Sequence, residues 1–439
     1  MFSDKKILVC GMAKSGQAVA RLLVEMGANV YAQDKNTDIH WELPPEGFHQ
    51  YLGQDPIHIV GEFDLVIISP GIPVDAPFVE KAKSLEVPVW GEAEFAYRLC
   101  PCPMIAITGT NGKTTVTTLV GDILKLHNPG TVVGGNIGTP LTNLVTSLSP
   151  NNIVVAEISS FQLETIAAFR PHISAVLNMT EDHLDRHYTM ENYIAMKSRI
   201  FENQQRSNIC VLNYDNPITR EMKPPSTVLY FSAKETLKSG VFLRDGYIIA
   251  KSVNGQEKAI APITSTLAMA ENALAATALC LCAGVPPELI AQGLQAFKGV
   301  EHRLEFVATK NNIHYYNDSK ATNTDSGMKA IEAINGSMVL IGGGYDKHTD
   351  FTPWVQSFGT KVTHLVIIGQ TTEKIVDTCE KLGFTNYTRA STLAEAVDIA
   401  SAKASPGSHV VFSPACASFD MFKNFEVRGH VFKDYVHSK

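Results

Sequence analysis

The residues best disposed for chemistry are Gly109-Thr110-Asn111-Gly112-Lys113-Thr114, set between the apolar run Met104–Thr108 and a helical stretch that starts with Thr115. A glycine-rich turn running into a helix N-terminus aims consecutive backbone N–H groups at phosphate oxygens. Lys113 is then placed for the β- and γ-phosphates and the Thr114 hydroxyl for magnesium. The strict phosphate-loop pattern wants a glycine at position 107, where this chain has Ile107, so the loop is short. A bare strand-to-helix turn explains the glycines, but lysine straight after glycine at a buried strand end has little structural purpose. Nucleotide binding follows; the reaction does not.

Magnesium takes oxygen ligands and keeps several waters, so few protein groups are needed. Glu157 ends the apolar run Ile153–Glu157, where a parallel sheet gathers functional side chains at its C-terminal edge. Glu181, Asp182, His183, Asp185 and His187 follow another apolar run. On pattern alone that second group serves equally well as a helix cap.

A second glycine-rich turn, Gly11-Met12-Ala13-Lys14-Ser15-Gly16, copies the dinucleotide fingerprint with Ala13 for its middle glycine, and Asp34 follows 18 residues after Gly16. A dinucleotide enzyme would use that acid on a ribose hydroxyl. The Ala13 methyl would crowd a pyrophosphate, which weakens that reading. A tight turn serving only helix packing also fits.

Short apolar strands alternate with amphipathic helices throughout, which predicts an α/β fold with parallel sheets. At 439 residues two or three domains are expected. The polar helix Gly91–Leu99 and the Cys-Pro-Cys-Pro punctuation mark one boundary, and Gly293–Val307 links into a third block with its own strands. Three domains are predicted: 1–93 Rossmann-like, 94–298 central and of phosphate-loop ATPase type, 299–439 again Rossmann-like. A net charge of −7 argues against nucleic acid or an anionic membrane as partner. The first apolar run is shorter than a signal peptide requires. The eight cysteines have no C-x-x-C spacing and read as reduced thiols, so a cytoplasmic protein is expected. Cys416 has no positioned base to make it a nucleophile.

The segments GTNGKTT, GGNIGTP, EISSFQLE, NMTEDHLDRH, EHRLEFV and NDSKATN occur in the order and spacing of the Mur ligases, which the chain resembles over nearly its whole length. These are the ATP-dependent amino-acid-adding enzymes of bacterial peptidoglycan synthesis. NDSKATNTDS and SPACASFDMFKNFEVRG resemble the branch that adds D-glutamate to UDP-N-acetylmuramoyl-L-alanine. The short phosphate loop is that family's own form.

The resemblance implies ATP bound by Gly109, Thr110, Asn111, Gly112, Lys113, Thr114, Thr115, Asn272, Arg303, Asp318 and Lys320, with His302 beside Arg303 where the third domain meets ATP. It implies two magnesium ions on Thr114, Glu157, His183 and Lys197, the last as a carbamylated lysine. Catalysis falls to Lys113, His183, Lys197 and Arg303. The UDP-substrate is assigned to Lys14, Ser15, Asp34, Lys35, Ser69 and Gly71 with Asn136, Ser159 and His183. D-Glutamate is assigned to Thr322, Lys347, Ser418 and Phe425. A monomer is expected. The rivals are another ligase of the family, a folylpolyglutamate-synthase-like enzyme, which would not be expected to retain the first domain, and a non-catalytic ATP-binding regulator.

Overall fold

The computed structural model describes residues 2–41, 47–263, 267–347 and 349–439. Among these, the strands form three sheets of five, nine and six members, each flanked by helices. The chain gathers into two compact units. The first takes in Met1–Met179, Thr189–Thr264 and Ala270–Phe297, and the second Thr180–Tyr188 and Lys298–Lys439.

In the first sheet the strand Lys6–Cys10 pairs in parallel with Asn29–Asp34 on one side and Leu65–Ile68 on the other. Phe48–Leu52 and Val89–Gly91 form its edges. The strand order therefore reverses beside Lys6–Cys10, and α/β sheets open a crevice at such a switch point. Phe48–Leu52 has no clean apolar alternation, being an edge strand with His49 and Gln50 exposed, and its sequence gives no strand signal.

The nine-stranded sheet is built around Met104–Thr108, which lies between Ile153–Glu157 and Ile173–Val176. The helix Lys113–His127 buries Val116, Leu119, Val120, Ile123 and Leu124. That spacing is the apolar stripe of an amphipathic helix. Each such side chain contributes roughly 1.5–3 kcal/mol on burial. Beyond Thr227–Ser232 the sheet continues into Gly240–Arg244 and then turns antiparallel through Tyr247–Lys251 and Glu257–Pro262.

The third sheet is parallel except for its first hairpin, Glu305–Lys310 with Ile313–Asn317. Ile313–Asn317, His409–Phe412 and Met338–Gly342 are neighbours in that order, so the loops after all three leave from one edge. No helix among the described residues is long and apolar enough to cross a membrane.

The helix Glu92–Leu99, read above as a polar helix at a domain boundary, is mostly buried, including both of its first-turn glutamates. Glu92 Oε1 accepts from the Thr142 N–H at 2.7 Å and the Thr142 hydroxyl at 2.9 Å. Glu94 accepts the N–H groups of Ala167, Ala168 and Phe169, each at 2.9 Å, and pairs with Arg98. These carboxylates fasten the helix to backbone segments that lie far on in sequence, which is why their burial is not visible in the local pattern.

Candidate active site

The phosphate loop leaves the end of Met104–Thr108, and its shape depends on Gly112. That residue has φ +83°, in the left-handed region, and a methyl group there would collide with the Asn272 side-chain oxygen. Glycine is the residue that adopts this conformation at little cost. Gly112 caps the helix Lys113–His127 without any side-chain acceptor. The first-turn amides of a helix lack an intrahelical partner and make a site for anions.

Asn178 holds the loop. Its Oδ1 accepts the Asn111 N–H at 2.8 Å, its Nδ2 donates to the Asn111 carbonyl at 3.0 Å, and its own carbonyl accepts the Thr110 N–H at 3.0 Å. The Thr110 hydroxyl meets the Tyr193 hydroxyl at 3.2 Å. Neither Asn178 nor Tyr193 is a site candidate by sequence. The signals available for Asn178 were its place at the end of an apolar strand and at the start of the segment NMTEDHLDRH. Lys113 Nζ donates to the Gly109 and Thr110 carbonyls at 2.9 and 2.8 Å, folded back over the loop that it is expected to serve.

Glu157 is in register with Ile107, one strand over from the loop, and is 1% exposed. Its Oε1 accepts from Asn136 Nδ2 at 2.7 Å, whereas its buried Oε2 has no hydrogen-bond partner among the described residues. An unpartnered buried carboxylate oxygen is costly, and a divalent cation is the partner that its chemistry suits. The Thr115 hydroxyl is likewise buried without a partner among the described residues. Lys197, 2% exposed, donates to the Gly109 carbonyl at 2.9 Å and lies 3.5 Å from the Thr108 hydroxyl. The loop, Asn136, Glu157, Asn272 and Lys197 thus meet at one sheet edge. Ser159 does something local: its hydroxyl caps the short helix Ser160–Leu163 in a reciprocal pair with Gln162.

Within the first sheet, Lys14, Ser15, Asp34, Lys35, Ser69 and Gly71 all line one cleft of about 650 Å³. Asp34 Oδ2 accepts the Met12 N–H at 2.6 Å, and Oδ1 accepts the Asn36 N–H at 2.9 Å. The acid therefore braces the glycine-rich turn as well as facing the cleft.

In the second unit His183 sits at φ 55°, ψ 33°, a left-handed conformation uncommon for histidine. Backbone held in this way costs energy and concentrates at functional sites. Its neighbour Asp182 accepts from Lys347 Nζ at 3.1 Å and Asn323 Nδ2 at 3.0 Å. Burial would raise the Asp182 carboxyl, but Lys347, His183 and the hydrogen bonds outweigh it and hold the group well below the usual range. Lys347, expected to meet a substrate carboxylate, is thus already paired with a carboxylate of the chain. Thr322 adjoins Asn323, and Ser418 is buried beside the bridge between Tyr345 and Ala417.

Asp318 is buried, and burial pushes its carboxyl up to about 6 against the opposing pull of Arg303 and a hydrogen bond from Ser413. Its oxygens accept from the Leu304 N–H at 3.1 Å and the Ser413 hydroxyl at 2.7 Å. Arg303 Nε is buried with no hydrogen-bond partner among the described residues, a donor suited to an anion. Lys320 Nζ lies 4.3 Å from the centre of the Phe425 ring, so Phe425 supports a cation. Asn317 Nδ2 is 2.8 Å from His302 Nδ1. Sequence reasoning passed over Arg428. Its guanidinium is buried and donates to Ser319 Oγ and to the carbonyls of Ser319, Cys416 and Ala417, tying two of the edge loops together.

Three family models match in succession: the Mur ligase MurD-like N-terminal domain over residues 5–91, the Mur ligase middle domain over 107–280 and the Mur ligase glutamate ligase domain over 302–416. A curated relative from Lachnoclostridium phytofermentans, named UDP-N-acetylmuramoylalanine–D-glutamate ligase, is 43% identical over 449 residues, covering 100% of this chain and 99% of its own. The crystal structure of the UDP-N-acetylmuramate-alanine ligase MurC from Thermotoga maritima superposes with a TM-score of 0.62 at 19% identity, over 99% of this chain and 100% of that one. MurF from the same organism, solved in complex with ADP, gives a TM-score of 0.62 at 14% identity, over 100% of this chain and 96% of that one. At those identities the two structures establish the fold. With all three models matched in order and a 43% relative aligned end to end, the chain belongs to the Mur ligase family.

Proposed function

We propose that this chain is the ATP-dependent ligase that joins D-glutamate to UDP-N-acetylmuramoyl-L-alanine in peptidoglycan precursor synthesis, working as a monomer in the cytoplasm. The observation that carries a phosphoryl-transfer reading is the phosphate loop lying one strand from a buried Glu157 whose Oε2 lacks a partner among the described residues. The choice of acceptor and amino acid is supported by the full-length relative's name and by the match of residues 5–91 to a MurD-like domain. That match also disfavours a folylpolyglutamate-type enzyme.

A carboxylate is a poor acyl donor at neutral pH. Transfer of the ATP γ-phosphoryl group to the alanyl carboxylate makes an acyl phosphate with a good leaving group. The D-glutamate amine then adds to that carbonyl, and the tetrahedral adduct collapses to amide and orthophosphate. Positioning and charge neutralisation supply most of the catalysis in such transfers. In this reading Gly109–Thr115 cradle the phosphates, Lys113 swings from its carbonyl contacts to the phosphate charge, and Asn272 meets the adenine. Thr114, Glu157, His183 and Lys197 would hold magnesium. Two ions neutralise phosphate and carboxylate charge when bound. Loss of a proton from the Lys197 ammonium, addition of carbon dioxide to the free amine and loss of a second proton would turn a buried cation into an anionic oxygen ligand.

Asn136 and Ser159 belong to the acceptor end of the reaction, and the cleft lined by Lys14, Ser15, Asp34, Lys35, Ser69 and Gly71 takes the uridine diphosphate. Arg303, Asp318 and Lys320 serve ATP, while Thr322, Lys347, Ser418 and Phe425 serve D-glutamate. Lys347 would exchange Asp182 for the incoming carboxylate. Domains at 1–93, 94–298 and 299–439 divide these tasks.

The test is phosphate release from ATP with UDP-muramoyl precursors and amino acids supplied singly and in pairs. Release is expected only with UDP-N-acetylmuramoyl-L-alanine and D-glutamate together. Equal rates with L-lysine, or with no amino acid, would remove the assignment, and ATP turnover indifferent to both would favour a regulator.

A further inference from the structure

Two cysteine pairs share the C-x-C spacing, and their settings differ. Cys280 and Cys282 lie within the helix Leu267–Cys282, where residues two apart do not face each other. Cys100 and Cys102 follow the end of the helix Glu92–Leu99, on the short connector into the strand Met104–Thr108 that ends at the phosphate loop. Cys100 has extended backbone, φ −72° and ψ 116°, and Pro101 between the two cysteines restricts the turn. Their sulfur atoms are 3.6 Å apart. A disulfide bond is about 2.05 Å long, so closing it requires the sulfurs to approach by about 1.5 Å. Cys100 is half-buried, whereas Cys102 is buried beside it and burial pushes its thiol up to about 12. Cys10, Cys210, Cys280, Cys379 and Cys416 are all buried.

We propose that Cys100 and Cys102 form a thiol modification site, which a low-molecular-weight disulfide converts into an intramolecular disulfide on the connector leading to the phosphate-loop strand. The Cys100 thiolate attacks one sulfur of glutathione disulfide, forming a mixed disulfide and releasing one glutathione thiolate. Cys102 then attacks the Cys100 sulfur, its proton leaves to solvent, and a second glutathione thiolate departs. Two protein thiols are oxidised and one glutathione disulfide is reduced to two glutathiones. The second step is fast because the two sulfurs already touch, an intramolecular advantage of the kind that proximity confers. A reducing thiol runs both steps backwards.

The experiment treats the full-length protein with glutathione disulfide, caps remaining thiols with iodoacetamide and maps tryptic peptides by mass. Cleavage after Arg98 and Lys113 places both cysteines on one peptide, and the 259–298 peptide carries Cys280 and Cys282 as an internal control. The 99–113 peptide should lose two hydrogens, about 2 Da, at least tenfold faster than the control peptide is modified, and dithiothreitol should restore it. In Cys102→Ser a glutathione adduct should persist on Cys100, and in Cys100→Ser the remaining Cys102 should stay unmodified over the same interval. The proposal fails if the wild-type peptide accumulates glutathione adducts without closing. It fails equally if Cys102 in Cys100→Ser reacts as fast as Cys100 does in Cys102→Ser.

Discussion

Two glycine-rich turns feed helices in the first unit, and they are braced in opposite ways. At Gly11–Gly16 a carboxylate does the bracing: Asp34 takes the Met12 N–H, and the turn opens onto a broad cleft. At Gly109–Thr114 a neutral amide does it: Asn178 grips Asn111 from both sides, with Lys113 laid over the loop. An anionic brace discourages a phosphate from nestling against that part of the turn and leaves the cleft to grip its ligand by the walls. A neutral brace with an adjacent lysine leaves the helix N-terminus to an anion. Similar local sequences therefore serve different tasks, and the residue packed behind the turn decides which.

Substitutions that act on one turn alone would break this contrast. Lys113→Ala should lower turnover by about 10²–10³-fold or more, the scale seen when a charge-stabilising donor is removed. Binding of the UDP-substrate, followed by calorimetry, should stay within a few-fold. Loss of both in a folded protein would show that the turns do not work separately. Lys197→Ala should raise the magnesium needed for half-maximal rate by roughly 10–100-fold, as for other groups that shape a metal site. Normal turnover at ordinary magnesium would remove Lys197 from the metal. Asp34→Asn weakens a charge-assisted brace, a type of contact contributing about 1.5–3 kcal/mol. Because the amide keeps one acceptor oxygen, the KM for the UDP-substrate should rise roughly tenfold with kcat little changed, and a fall in kcat alone would contradict a binding role.

The smallest effect concerns Asp318, whose carboxyl is raised to about 6 by burial. Between the ordinary carboxylate range and that value the folded state holds a proton that the unfolded state has lost. Asp318 thus costs stability progressively as pH rises through this window. Asp318→Asn should gain about 1 kcal/mol more, relative to wild type, at pH 7.5 than at pH 5. Denaturant unfolding at the two pH values measures the difference, and an equal offset at both would mean that Asp318 does not titrate in this range.

The phosphate loop is legible in the sequence because its chemistry resides in backbone conformation and one adjacent lysine, both written into consecutive residues. The alternation of Lys6–Cys10, Asn29–Asp34 and Leu65–Ile68 with helices announces the first sheet for the same local reason. Phe48–Leu52 and the antiparallel extension Gly240–Pro262 are not announced. Edge and hairpin strands are half exposed and owe their pairing to neighbours. Glu92 and Glu94 look like solvated helix residues until Thr142 and the 167–169 backbone arrive to take their oxygens. Asn178 and Arg428 lie inside the quoted segments NMTEDHLDRH and SPACASFDMFKNFEVRG, yet their bracing roles escape for a related reason, being set by loops from other strands. The motifs mark where substrates would be met, whereas which of their residues hold the loops in place becomes visible only when the sheet edges are assembled.

The central claim is activation of a carboxylate by phosphorylation, and labelled oxygen tests it most directly. With ¹⁸O in the alanyl carboxylate of the UDP-substrate, each turnover in the presence of ATP and D-glutamate should place one labelled oxygen in the released orthophosphate. Product amide formed with unlabelled orthophosphate would contradict phosphoryl transfer to that carboxylate.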